Sequence, residues 1–139
     1  MEKFIWTSEY SLGISIIDEQ HQHFFEIMNQ IYDLLEKNPN DKESLLKIVK
    51  ELTDYAFYHL ATEEKYFTQF TYSDLENHMK YHTLFRIQTG EYSERIRKGE
   101  ENLPKLVLEI TDFAKNWLTK HILIADKMYA PLFKAHGLN

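Results

Sequence analysis

Four long stretches with apolar residues at helical spacing, short polar breaks between them and few turn-forming residues predict an all-α fold. The expected architecture is an antiparallel up-down-up-down four-helix bundle with an N-terminal arm and a short C-terminal helical segment, because short connections make consecutive helices antiparallel neighbours. Only four glycines and three prolines occur in 139 residues, too few to punctuate a many-stranded sheet but enough to separate a few helices. A chain of this length suits one domain spanning residues 1–139.

Residues 1–17, ending in the apolar pair Ile16 and Ile17, read as an arm packed across a bundle formed by residues 18–135. The first helix runs from about Asp18 to Lys37, with Phe24, Phe25, Met28, Ile31, Tyr32 and Leu35 on one stripe. It stops at Asn38-Pro39, because the residue before a proline disfavours helical backbone. Asn40 and Glu43 have the spacing of a capping box for a second helix, whose stripe is Leu45, Ile48, Leu52, Ala56, Leu60 and Phe67. Ser73 and Glu76 form the next such box. The third stripe, Leu75, Phe85, Tyr92 and Ile96, ends near Gly99, and Pro104 suits the first turn of a fourth helix carrying Leu106, Ile110, Phe113 and Trp117.

The formal charge of −6, with both signs interspersed and no basic run, argues against a nucleic acid or an anionic membrane as partner. Nothing in the sequence reads as a targeting segment or a membrane span, so a soluble, cytoplasmic protein is expected. Without cysteine, disulfides, iron–sulfur clusters and thiolate metal sites are excluded, and any metal must be held by nitrogen and oxygen donors.

Histidine interrupts every apolar stripe. His21 precedes Phe24 and Met28 by three and seven residues, His59 follows Leu52 by seven, and Glu63 follows His59 by four. His78 and His82 share the stripe of Leu75 and Phe85, His121 follows Trp117 by four, and Asp126 comes five later. One such histidine is more often a satisfied core residue than a ligand. The joint pattern is different. Counted from the loops near residues 39 and 100, His21, His59, His82 and His121 lie roughly 27, 30, 27 and 31 Å along their helices at a rise of about 1.5 Å per residue. Buried polar groups are costly without partners, and a shared cation gives every member of such a slab a partner. His23 and His136 fall off the stripes and are expected in solvent, as is Glu64, one step away from Glu63.

Five imidazoles and two carboxylates are too many for one ion, and carboxylates commonly bridge two. With one bridging oxo or hydroxo group, they leave a single position open on two octahedral ions, which suits a small exogenous ligand. Zinc prefers fewer ligands, so iron is the better fit. His121 and Asp126 differ by about 140° on a continuous α-helix and could not easily serve one metal pair. Regular helix is therefore expected to end within residues 122–125, with a separate segment carrying Asp126 to about Ala135 and Pro131 in its first turns.

His21 in Ile-Asp-Glu-Gln-His, His59-x-x-x-Glu63, His78-x-x-x-His82 and His121-x-x-x-x-Asp126, together with Trp6 and Gly13, resemble the hemerythrins, specifically the single-domain bacterial ones. The resemblance implies a di-iron centre. In it His78, His82 and His121 would bind one iron, His21 and His59 the other, and Glu63 and Asp126 would bridge the two beside an oxo or hydroxo group. It implies reversible dioxygen binding at the iron held by His21 and His59, in a pocket for which helical spacing names Phe24, Leu60, Trp117 and Leu118, with Leu118 as gatekeeper. The expected role is an oxygen carrier, store or delivery protein rather than an enzyme, a monomer with an oxygen-consuming enzyme as its client. A di-iron oxidase or peroxidase, or a sensor of oxygen or nitric oxide, is the alternative. No acid–base pair beyond the ligands and no nucleotide-binding loop supports turnover.

Overall fold

A computed structural model describes residues 3–99 and 102–139; the first two positions of the expected arm lie outside them. Helices are α1 (Ser15–Lys37), α2 (Lys42–Gln69), α3 (Leu75–Lys98), α4 (Leu103–Lys120) and α5 (Lys127–Ala135), with a 3-10 turn at Ser8–Tyr10 and a π-helical turn at His121–Asp126 between α4 and α5. No strand occurs among the described residues. Helix α1 packs against α2 and α4, and α3 packs against the same two, so the four long helices close into a ring.

The predicted stripes fill the middle of that ring. Phe24, Met28 and Ile31 of α1, Leu52 and Leu60 of α2, Phe85 and Ile96 of α3, and Ile110 and Leu118 of α4 form one large apolar cluster. Burial of each such side chain contributes on the order of 1.5–3 kcal/mol. A smaller cluster joins Leu12, Ile14 and Ile17 to Phe67, Tyr129 and Phe133. Along α1 the histidine His21 falls between Ile17 of the small cluster and Phe24 of the large one; along α2, His59 and Glu63 fall between Leu52 and Phe67. The polar residues thus occupy a layer between two dry ones.

Four boundaries differ from expectation. Helix α1 begins at Ser15, three residues before Asp18, which shortens the arm and leaves Ile17 buried but Ile16 39% exposed. Asp18 explains the early start: its carboxylate accepts hydrogen bonds from the Leu12 N–H at 2.8 Å and the Ser11 hydroxyl at 2.6 Å, pinning the turn before the helix. Asp41, not Asn40, caps α2, accepting from the Ser44 N–H at 3.0 Å. At α3 the expected Ser73–Glu76 box does not form: the helix starts at Leu75 behind Asp74, which makes no side-chain cap. The fourth difference, at the end of α4, is the π turn described below.

Other signals hold. Gly99 ends α3 with φ of 69°, the left-handed conformation that glycine adopts without steric cost. Pro104 sits in the first turn of α4, where Asn102 caps by accepting from the Lys105 N–H at 3.1 Å. The arm does cross the bundle: Phe4 meets Phe25 and Tyr32, each at 5.5 Å between ring centroids, and Trp6 meets Phe25 at 5.4 Å. The Ser8–Tyr10 turn packs against the π turn.

Candidate metal centre

Regular α-helix stops at Lys120, before the expected window, and the chain does not break. Widening the backbone ring from i→i+4 to i→i+5 over His121–Asp126 brings positions five apart onto one face. A broken helix would have solved the same problem, but it would have left backbone groups unbonded where Ile122 and Ala125 are buried. Pro131 lies in α5 as expected, which directly follows the turn.

The seven predicted residues converge, and all are buried. Asp126 divides its oxygens: Oδ1 lies 3.0 Å from His78 Nε2 and 2.9 Å from His121 Nε2, while Oδ2 lies 3.0 Å from His21 Nε2. Glu63 Oε1 lies 3.2 Å from His82 Nε2, 3.5 Å from His59 Nε2 and 3.9 Å from His121 Nε2. Two overlapping donor groups result, Glu63 with His78, His82 and His121, and Glu63 with His21, His59 and Asp126, each with its atoms within 4.8 Å of one another. A three-histidine position and a two-histidine position therefore flank a shared pair of carboxylates.

These short approaches are mostly not hydrogen bonds. Both ring nitrogens of His21 and of His121, His82 Nε2, Glu63 Oε1 and Asp126 Oδ2 are buried with no hydrogen-bond partner. Orphans of this kind each cost roughly 1–3 kcal/mol. Imidazole nitrogens and carboxylate oxygens pointing at common centres suit first-row divalent metals, and a cation at each position would give the inward-facing orphans, the Nε2 atoms and carboxylate oxygens, partners. The residues fit a metal pair.

The electrostatics without metal show why. Burial pushes the His59 imidazole down to about 3, with Glu63 opposing only partly. Burial also works against charge on His121, but Asp126 and Glu63 outweigh it and push the imidazole up to about 9. For Glu63 and Asp126, burial raises the carboxyls, yet the surrounding imidazoles hold both well below the usual range. Two anions in one dry layer demand positive charge nearby, from protonated imidazoles or from metal.

Supporting residues escaped the sequence reading. Gln20 Oε1 lies 2.6 Å from His59 Nδ1, and the Tyr129 hydroxyl donates to Glu63 Oε2. Glu64 corrects an expectation: it is not a free surface carboxylate. Its Oε2 lies 2.9 Å from His82 Nδ1, and Arg86 grips both its oxygens at 3.2 and 3.1 Å. Such partners fix which ring nitrogen carries the proton and turn the other toward the metal. Tyr129 carried a signal, three residues after Asp126 and four before Phe133, but its partner could only be seen in three dimensions. His23 and His136 stay outside the cluster, His23 beside Glu26 at 3.1 Å and His136 stacked on Phe70.

Of the expected wall residues, Phe24 and Trp117 meet the layer. Phe24, Leu60 and Leu118 are buried; Phe24 stands edge-on to His59 at 5.2 Å, and Trp117 stacks on His121 at 4.3 Å with an interplanar angle of 13°. Outside Trp117 a pocket of about 440 Å³, lined also by Tyr81, Phe113 and Ile124, opens on the three-histidine side.

Comparison with known proteins agrees with this geometry. The family described as the hemerythrin HHE cation binding domain matches residues 12–133. The bacteriohemerythrin of Clostridium acetobutylicum is 32% identical over 128 residues, covering 91% of this chain and 98% of its own. That of Methylococcus capsulatus is 25% identical over 136 residues, covering 97% and 100%. The crystal structure of wild-type hemerythrin superposes with a TM-score of 0.84 at 24% identity, covering 94% of this chain and 98% of that one, which shows the same fold. With a family match over most of its length and full-length relatives of the same kind, the chain belongs to the hemerythrin family.

Proposed function

We propose that the buried layer holds two iron ions, one among His78, His82 and His121 and one between His21 and His59, and binds dioxygen reversibly. Glu63 and Asp126 would serve both. The observation that carries this is the convergence of seven buried donors from four helical elements into two overlapping groups, several of whose atoms have no protein partner. Ferrous iron held there would supply the electrons for reversible dioxygen binding. The protein's own residues do the rest. Gln20 and Glu64 accept the Nδ1 protons of His59 and His82, so that Nε2 of each ring faces inward. Tyr129 orients the Glu63 carboxylate. Phe24, Leu60, Trp117 and Leu118 keep water from the two-histidine position, with Leu118 as the gate.

The chain acts as a carrier or store rather than a catalyst, a cytoplasmic monomer that supplies an oxygen-consuming enzyme. No helix among the described residues is long and apolar enough to cross a membrane. The test begins by counting iron in the purified protein, reducing it anaerobically and admitting air. A new visible spectrum that appears in air and disappears under argon, over repeated cycles, is expected. Irreversible conversion with release of hydrogen peroxide would replace binding with oxidase chemistry.

A further inference from the structure

The two metal positions have different surroundings beyond their ligands. On the three-histidine side, His82 Nδ1 lies 2.9 Å from a carboxylate oxygen of Glu64, and two Arg86 nitrogens hold that carboxylate in place. The same guanidinium packs over the Phe57 ring at 5.3 Å. On the two-histidine side, the corresponding partner of His59 Nδ1 is the Gln20 amide oxygen at 2.6 Å. The amide orientation follows from its other end. Thr62 spends its hydroxyl proton on the Tyr58 carbonyl at 3.0 Å, so Thr62 Oγ1 accepts from Gln20 Nε2 at 3.4 Å and the Gln20 oxygen faces His59. Both acceptors select the same imidazole tautomer, but one carries a charge and the other does not.

We propose that Glu64, clamped by Arg86, and Gln20 are a positioning pair that makes the two metal positions electronically unequal, so that the three-histidine position is the first to lose an electron. An anionic acceptor on Nδ1–H makes the imidazole a stronger donor to metal; the Arg86 guanidinium offsets much of the carboxylate's charge at longer range, so the effect acts through the hydrogen bond. A neutral amide does this far less. In a one-electron oxidation at an electrode, the electron passing to the electrode would come from a ferrous ion held by His78, His82 and His121, while one held by His21 and His59 would keep its own. The role of the pair is thus to keep the more reducing ion away from the position assigned to dioxygen. This inference rests on the di-iron reading above.

The test is an anaerobic redox titration of the iron-loaded chain with iron counted per chain, and Mössbauer spectra at half oxidation. Glu64→Gln keeps an acceptor on His82 but removes the charge; it is expected to move the first oxidation step to higher potential and leave the second in place. Gln20→Glu is expected to leave the first step and lower the second. A purely structural role for either residue would change iron content or melting without this selective movement. If Glu64→Gln retains two irons and its first step does not move, or the second moves instead, the proposal is overturned. Should that variant fail to fold or to hold iron, Gln20→Glu decides: a lowered second step supports the proposal, while an unmoved second step or a lowered first step overturns it. A parent chain that cannot hold two irons would sink the di-iron reading and this inference together; two irons with unmoved potentials would sink this inference alone.

Discussion

The large apolar cluster and the polar layer beside it are built on the same four helices and stabilised in opposite ways. In the cluster, Ile31, Val49, Leu52, Ile96 and Ile110 are at most 1% exposed and carry no polar atoms that need partners. In the layer, burial is just as complete, yet His21, Glu63, His82, His121 and Asp126 each contain an unpartnered atom. The cluster folds on its own chemistry. The layer is a debt that metal settles, so binding energy there is folding energy.

Removing the metal should therefore have the largest effect, and an uneven one. Chelation of the iron-loaded protein is expected to lower the thermal midpoint and to speed amide hydrogen exchange around His59, His82 and the π turn, while amides near Val49 and Ile96 stay protected. Uniform loss of protection at both ends, or identical melts with verified loss of iron, would erase the distinction.

Acid should separate the two regions next. The metal-free His59 is held neutral, with its folded value depressed from 6.5 to about 3, so the unfolded chain binds the extra proton first. Its contribution to stability is complete above 6.5 and drains away as pH falls from there toward 3. His121 has the opposite sign: its value is raised to about 9, so its contribution is present below 6.5 and is lost as pH rises through 9. Metal-free protein is thus expected to be most stable between these limits, as chemical denaturation across the pH range would reveal. Iron-loaded protein should instead lose metal in acid only, because bound imidazoles must be neutral. A flat profile for the metal-free form would contradict the account of the layer.

A pair of leucine truncations sharpens the comparison further. Leu52 and Leu118 are each 1% exposed, and either change to alanine should cost about 2–5 kcal/mol through lost contacts and a cavity. Only Leu118→Ala should also speed autoxidation, because only that cavity admits water to the assigned oxygen side. Equal autoxidation in the two variants, both with full iron, would remove Leu118 from the wall.

The sequence showed this division because its signals are periodic. Histidines recur at helical spacing inside stripes of leucine and phenylalanine, and that pattern places them inward whatever the details of packing. Details set by competition among near-equals were not legible. Within Asn38–Lys42 several polar residues could cap α2, and the turn geometry selects Asp41. Glu64 has its Cα off the inward face, which hides it from the helical pattern, but its long side chain reaches around the helix to where Arg86 of α3 holds it. The five-residue spacing of His121 and Asp126 pointed to a break, and the chain has a wider turn instead, because both devices bring the two donors onto one face and only the turn keeps the backbone bonded.

The wider turn makes one stretch of this chain tolerant of a change in length that its neighbours are not. A π turn amounts to a single surplus residue lodged in an α-helix, and here it sits between the last two donors. Losing one residue from 122–125 would let the helix close normally and leave the aspartate four positions after His121, about 40° away on the same face. Asp126, Tyr129 and Phe133 would keep their inward side, and with it the shared carboxylate, the anchor of the other one and part of the smaller cluster. The same loss between Asp126 and Tyr129, in regular helix with no surplus to give up, would turn Tyr129 and Phe133 away by about 100°: the extra residue is a reserve of length.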